Sequence, residues 1–251
     1  MHRPIIHVVF AVLALQFGAS APAAELLVSA AASLTNAFTH IGQEFEQRHP
    51  ATKVLFNFGG SGQLLQQIAK GAPVDIFASA DQETMNRASK ESLVEDNTRF
   101  DFARNALVVV VPSDSVLRFD SLRQLTGRDV RHIAVGNPDS VPVGRYSKAA
   151  LLAAGVWDAL RGRIVNTQNV RQSLDYVARG EVDAAFVYRT DAAILPDKVR
   201  IMMDVPTNEP ILYPIAVVKS SNNKSAAREF VVYLRSGAAR KILVKYGFGG
   251  P

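Results

Sequence analysis

The sequence predicts an α/β fold, on three observations. Strand-like and helix-like segments alternate along most of the chain. A nearly continuous apolar run, Ala106–Val111, suits a strand buried on both faces of a parallel sheet. Turns bearing glycine and serine fall where predicted strands give way to predicted helices.

Leu26–Ala30 is the first short apolar strand. Leu34, Phe38, Ile41 and Phe45 then recur at helical spacing and give one apolar face. Val54–Phe58 reads as a strand, with Val54, Phe56 and Phe58 on one side. Leu64, Leu65 and Ile68 mark a helix that Gly71 stops. Val74–Ala78 is a further strand, and Asp81 is placed to cap the helix after it. His132–Val135, Arg163–Val165 and Ala184–Tyr188 are strand candidates, with helices near 145–154 and 170–179 between them. The last third holds one strand-like segment, Ile211–Val218, then helices over Lys224–Leu234 and Gly237–Tyr246. This pattern fits one doubly wound domain or two smaller lobes, and periodicity does not separate them.

The composition is that of a globular protein: 251 residues, 48% hydrophobic and 20% charged, with a net charge of +5. The basic residues are scattered, which argues against a nucleic-acid site. His2 and Arg3 precede an apolar run, Ile5–Phe17, and small residues follow up to Ala21-Pro22-Ala23-Ala24. That order predicts a cleavable secretory signal peptide over residues 1–24, cut after Ala23 or Ala24, and a periplasmic location. The chain has no cysteine, which excludes disulfides, thiol catalysis and cysteine-held zinc.

Four strand-to-helix turns offer hydroxyls and backbone N–H groups. They contain Ser33, Ser61 in Phe58-Gly59-Gly60-Ser61-Gly62, Val143, and Val170 beside Asn169. Helix starts carry unpaired donors and a partial positive charge, so such turns suit anions. Ser61 is not part of a P-loop, because no Lys-Ser or Lys-Thr pair follows at the required spacing. Tyr188, at the end of an apolar strand, would ordinarily be a core-edge tyrosine with a satisfied hydroxyl. Arg145 and Arg171, next to two of the turns, read as solvated or helix-start residues.

The sequence closely resembles the bacterial periplasmic molybdate-binding proteins of ABC transporters. The stretches that carry the resemblance are 30–38 (Ala-Ala-Ala-Ser-Leu-Thr-Asn-Ala-Phe), 71–81, Ala134-Val135-Gly136-Asn137-Pro138, 141–146, Tyr213-Pro214-Ile215-Ala216-Val217-Val218 and Lys245-Tyr246-Gly247-Phe248. They run in order through nearly the whole mature chain. The resemblance implies a two-lobed periplasmic binding protein fold of type II, with parallel-rich sheets and the ligand in the cleft between lobes. Residues 25–104 and 207–251 would form lobe I, and 105–206 lobe II. It implies a monomer that binds molybdate, and tungstate with it, and delivers the oxyanion to an inner-membrane ABC permease. The oxyanion contacts map onto Ser33 and Ser61 from one lobe and onto Val143, Val170 and Tyr188 from the other. No protein atom would ligate molybdenum directly, and no cofactor is implied. The family often has Ala at the position of Val143, a change that leaves a backbone contact in place.

A receptor for sulfate or phosphate on the same fold is the nearest alternative. An enzyme would need a base beside Ser33, and His40, seven residues on, lies two helical turns away. His49 and His132 add no metal-ligand spacing. Catalysis is therefore not expected, nor is nucleic-acid binding.

Overall fold

The computed structural model describes residues 24–251. The signal-peptide reading therefore falls outside the described residues, except for Ala24, which begins the first strand. The chain runs β1 (Ala24–Ala31), α1 (Thr35–Arg48), β2 (Thr52–Gly59), α2 (Ser61–Ala69), β3 (Ile76–Ala78), α3 (Gln82–Lys90) and β4 (Phe100–Asn105). It crosses at Ala106 into β5 (Leu107–Pro112), β6 (Ile133–Gly136), α4 (Pro142–Ala153), α5 (Trp157–Leu160) and β7 (Ile164–Thr167). Next come α6 (Val170–Ala178), β8 (Ala184–Tyr188), α7 (Arg189–Ala192) and β9 (Val199–Val205). It returns for β10 (Ile211–Val217), α8 (Lys224–Leu234) and α9 (Gly237–Lys245).

These strands form two five-stranded sheets, ordered β2-β1-β3-β10-β4 and β7-β6-β8-β5-β9. Each sheet with its helices is one lobe, and the chain passes between them after β4 and after β9. Both sheets are mixed. β1 pairs in parallel with β2 and β3, and β6 with β7 and β8, while β10 and β5 run antiparallel to both of their neighbours. The parallel surroundings expected for the 106–111 run are thus corrected. Leu107 to Val111 are all buried, so the run is apolar because both faces are covered, and its direction is set by the crossover that feeds it.

Burial explains the elements that periodicity marks. Leu34, Phe38, Ile41 and Phe45 are all fully buried along the inner stripe of the first helical segment. Phe38 meets the Phe102 and Phe230 rings at 5.4 and 6.3 Å between centroids, tying α1 to β4 and α8. Full burial of each such side chain stabilises by about 1.5–3 kcal/mol. Asp81 caps α3, accepting from the Thr84 N–H at 3.1 Å. Gly71 follows α2 at φ +88°, a conformation that costs glycine little. Two strands escape the sequence pattern. β4 (Phe-Asp-Phe-Ala-Arg-Asn) and β9 (Val-Arg-Ile-Met-Met-Asp-Val) are edge strands whose polar residues break the apolar runs. The expected strand over Val74–Ala78 shortens to Ile76–Ala78, and the expected helix near 145 begins three residues earlier at Pro142, a favoured first helical residue.

Candidate functional site

The six parallel strands of the two sheets aim their carboxyl ends at the boundary between the lobes. A small cavity lies there, and its wall takes residues from every one of those ends. Ala31 ends β1 and Ala32 and Ser33 follow it, Gly60 and Ser61 follow β2, and Ala80 follows β3. From the other lobe come Val141, Pro142 and Val143 after β6, Asn169 and Val170 after β7, and Tyr188 at the end of β8. Ligands collect at such strand ends in α/β sheets. Ser33, Ser61, Val143, Val170 and Tyr188, singled out in the sequence, thus stand around one space.

The cavity is small, about 10 Å³, room for about one water molecule as the lobes stand. Its wall contains no lysine, arginine, aspartate or glutamate. A larger groove of about 520 Å³ opens nearby, but Glu83 and Glu209 stand in its wall and would repel an anion. Among the described residues no cluster of three or more histidine, aspartate or glutamate side chains is arranged to hold a metal ion.

The donors around the small cavity are prepared in three ways. First, helix starts are left open. The 3₁₀ turn at Ala32–Leu34, α2 and α4 have no side-chain cap, since Ala31, Gly60 and Val141 precede them. In α4, Pro142 has no N–H, and Gly144 and Arg145 donate back to Val141 O at 3.0 and 3.2 Å. The Val143 N–H remains. In α6, Asn169 Oδ1 takes the Gln172 N–H at 3.1 Å and its carbonyl takes that of Ser173 at 3.4 Å, which leaves the Val170 N–H. These open ends carry the partial positive charge of their helices.

Second, the hydroxyls are buried and oriented. Ser61 Oγ accepts the Ala80 N–H at 3.1 Å, so its own hydrogen is free to point elsewhere. Ser33 Oγ lies 3.0 Å from the Tyr213 hydroxyl. Third, Tyr188 departs from the sequence expectation of a satisfied hydroxyl. Its side chain is 1% exposed, yet its phenol oxygen has no hydrogen-bond partner among the described residues. Burial pushes this phenol well above its ordinary range, so it remains a donor. A buried polar group without a partner is costly, by about 1–3 kcal/mol, unless something completes it.

The lobes touch around this space because two glycines let them. A Cβ on Gly60 would stand 2.6 Å from Gln168 O, and one on Gly62 would stand 2.7 Å from Ser140 O. Both approaches are closer than a side chain permits, and the Gly62 N–H uses the proximity to donate to Ser140 O at 2.9 Å.

Residues 26–249 match the family of bacterial extracellular solute-binding proteins. The molybdate-binding protein ModA of Escherichia coli strain K12 is 36% identical over 95% of this chain and 96% of its own. The chain belongs to the bacterial molybdate-binding proteins. The periplasmic molybdate-binding protein of Azotobacter vinelandii superposes with a TM-score of 0.80 at 27% identity, covering 90% of this chain and 99% of that one. The sulfate-binding protein SubI of Mycobacterium tuberculosis H37Rv, at 18% identity and a TM-score of 0.79 over 90% and 87% of the two chains, shares the fold.

In this family member the two arginines beside the site do stand in the first turns of α4 and α6, as one of the two sequence readings has it, but they are not solvated. Arg145 and Arg171 are largely buried, with side-chain exposures of 15% and 21%. Arg171 Nε donates to buried Asp191 Oδ1 at 2.6 Å, and its other nitrogens reach into the first lobe, to Asn36 Oδ1 at 2.9 Å and Ser33 O at 3.3 Å. Neither arginine lines the cavity. His40 lies away from it, packed edge-on to Tyr246 at 6.0 Å. Tyr213 and Asn105, which stand behind Ser33, are not among the site residues the sequence singles out, although Tyr213 opens one of the stretches that carry the family resemblance. One is a tyrosine inside an apolar strand, and the other ends a strand that periodicity misses.

Proposed function

We propose that this protein captures molybdate, and tungstate with it, in the cavity between its lobes and presents it to an inner-membrane ABC importer. The observation that carries the reading is the cavity wall: three buried hydroxyls and open helix starts around one small space between the lobes, with no charged side chain. A tetrahedral dianion is an acceptor on every side. Ser33, Ser61 and Tyr188 would donate their hydroxyls to it, and Val143 and Val170 their backbone N–H groups. Hydrogen bonds to a charged acceptor are about twice as strong as neutral ones, and fixed donors need no reorganisation. The protein would touch oxygens only and would not ligate molybdenum.

The process is capture without a chemical step. Each lobe contributes donors, so the bound anion ties the lobes together, and the closed shape is what the importer would recognise. Tungstate has the same charge and shape as molybdate. Sulfate is smaller and would leave donors out of reach. The Ala21-Pro22-Ala23-Ala24 exit supports a periplasmic location for the mature protein, where our reading has it act as a monomer, without cofactor or nucleic-acid partner.

Calorimetry of the mature protein with molybdate, tungstate, sulfate and phosphate tests the reading. Molybdate and tungstate are expected to bind at micromolar concentration or below, and the others far more weakly. Equal binding of sulfate and molybdate would overturn it in favour of a general oxyanion receptor.

A further inference from the structure

Tyr213 is fully buried in β10 and is not part of the cavity wall. It stands one layer behind, in a chain of hydrogen bonds whose direction can be read from its far end. Asn105 Oδ1 accepts the Ala106 N–H at 2.9 Å. A backbone N–H can only donate, so this oxygen faces Ala106 and the amide nitrogen faces the other way. The two amide hydrogens go to Thr190 Oγ1 at 2.8 Å and to the Tyr213 hydroxyl at 3.2 Å. Tyr213 thus receives a hydrogen from Asn105 and has its own to give. The acceptor beside it is Ser33 Oγ, at 3.0 Å. With that bond accepted, the Ser33 hydrogen is left to point into the cavity.

We infer that Tyr213 and Asn105 are positioning residues, which hold the Ser33 hydroxyl as an outward donor to the bound oxyanion. The assignment rests on the reading that Ser33 donates to such an ion. Neither residue touches the ligand; both act through Ser33. Burial holds the Tyr213 phenol in its protonated form well above the ordinary range, so the chain keeps its direction across physiological pH. The chain also spans both crossings between lobes. Asn105 is the last residue of β4, Thr190 lies in the second lobe, and Tyr213 comes just after the return. The Arg189 N–H donates to Ala106 O at 2.9 Å and fastens the same corner.

The test is a double-mutant cycle read by molybdate calorimetry on the full mature chain, with melting temperature measured in parallel. Tyr213→Phe keeps the ring and removes the hydroxyl. It is expected to weaken molybdate binding about five- to tenfold in the wild-type background. In a Ser33→Ala background the same change is expected to alter binding by less than about twofold. A role in packing alone would lower affinity by the same factor in both backgrounds, and that result would overturn the assignment. Asn105→Ala serves as the second arm and keeps the question open to test if Tyr213→Phe does not fold. Its loss should likewise shrink when Ser33 is already Ala, and an equal loss in both backgrounds would count against the inference. A wild-type chain that takes no molybdate would overturn the functional reading and this one with it, and would be seen before any variant is made.

Discussion

Arg145, two residues beyond the Val143 donor of the second lobe, grips Asp81 of the first, with Nε and Nη at 2.8 and 2.5 Å from one carboxylate oxygen. The same guanidinium donates to Thr84 Oγ1 at 2.6 Å. Asp81 is held in turn by the Thr84 N–H it caps and by Ser79 Oγ at 3.1 Å. The ion pair therefore joins the start of α4 to the start of α3 across the cleft. Arg145→Ala is expected to weaken molybdate binding on the order of tenfold, through faster release, because the closed arrangement loses a partly buried pair. Molybdate and tungstate should lose the same factor, since neither ion meets the arginine. Stopped-flow capture and release rates check this. Unchanged release with slower, salt-sensitive capture would show instead that Arg145 steers the anion.

The wall donors should behave differently from the latch. Ser61→Ala and Tyr188→Phe each remove a hydroxyl and should cost about 1–3 kcal/mol of binding. Val143→Ala should matter much less, since on the proposed reading only its backbone N–H meets the ion. Titration of the three variants decides. A Val143→Ala loss larger than the other two would mean that side-chain packing shapes the site.

Gly62→Ala should separate binding from folding. In a free protein whose lobes have parted, alanine is at least as good a helix former as glycine, by up to about 1 kcal/mol in a helix interior, so its melting temperature should hold or rise slightly. The added Cβ would collide with Ser140 O across the cleft, and affinity for molybdate should fall. Calorimetry beside a thermal melt checks both halves. Unaltered affinity would show that the lobes do not need this approach.

Asp191 makes stability depend on pH. Burial raises its carboxyl from 3.8 to about 6, against the opposing pull of the Arg171 guanidinium. The folded chain then holds that proton more tightly than the unfolded one. The contribution is fully present below 3.8 and is lost as pH rises through about 6. Thermal melts of wild type and Asp191→Asn across this range check the sign. The wild-type advantage should shrink between about pH 4 and 6 and level off above 7. A difference that grows with pH would place the carboxyl below its ordinary range.

Much of this was legible in the sequence because burial and backbone rules leave local marks. Phe38, Ile41 and Phe45 recur at helical spacing because one face of α1 is buried, and Gly71 and Asp81 mark a helix end and a helix start for backbone reasons. Ser33 and Ser61 could be singled out because helix starts are where donors are spare, whereas Tyr188 enters as a contact only through the family resemblance. Strand direction was not legible. β5 is apolar whichever way it runs, and its antiparallel pairing follows from long-range connectivity. The partners of Arg145 and Arg171 were also hidden. Asp81 lies 64 positions from Arg145 and Asn36 lies 135 from Arg171, so no local pattern distinguishes a latch from a solvated side chain.

The order of strands in the two sheets sets an order of assembly. All five strands of the second lobe lie between Leu107 and Val205, so that sheet can be completed from one continuous stretch. The first lobe cannot be completed that way. β4 pairs only with β10 in its sheet, and β10 is the last strand to be made. Until it arrives, β3 keeps an open edge and β4 has no sheet to join, although both were synthesised earlier. A chain emerging from its amino end would therefore finish its middle lobe first and hold its first half waiting. A fragment spanning residues 105–206 should fold alone, with cooperative melting, while one spanning 25–104 should not. The open β3 edge of that first half is where an unfinished chain would be prone to pair wrongly.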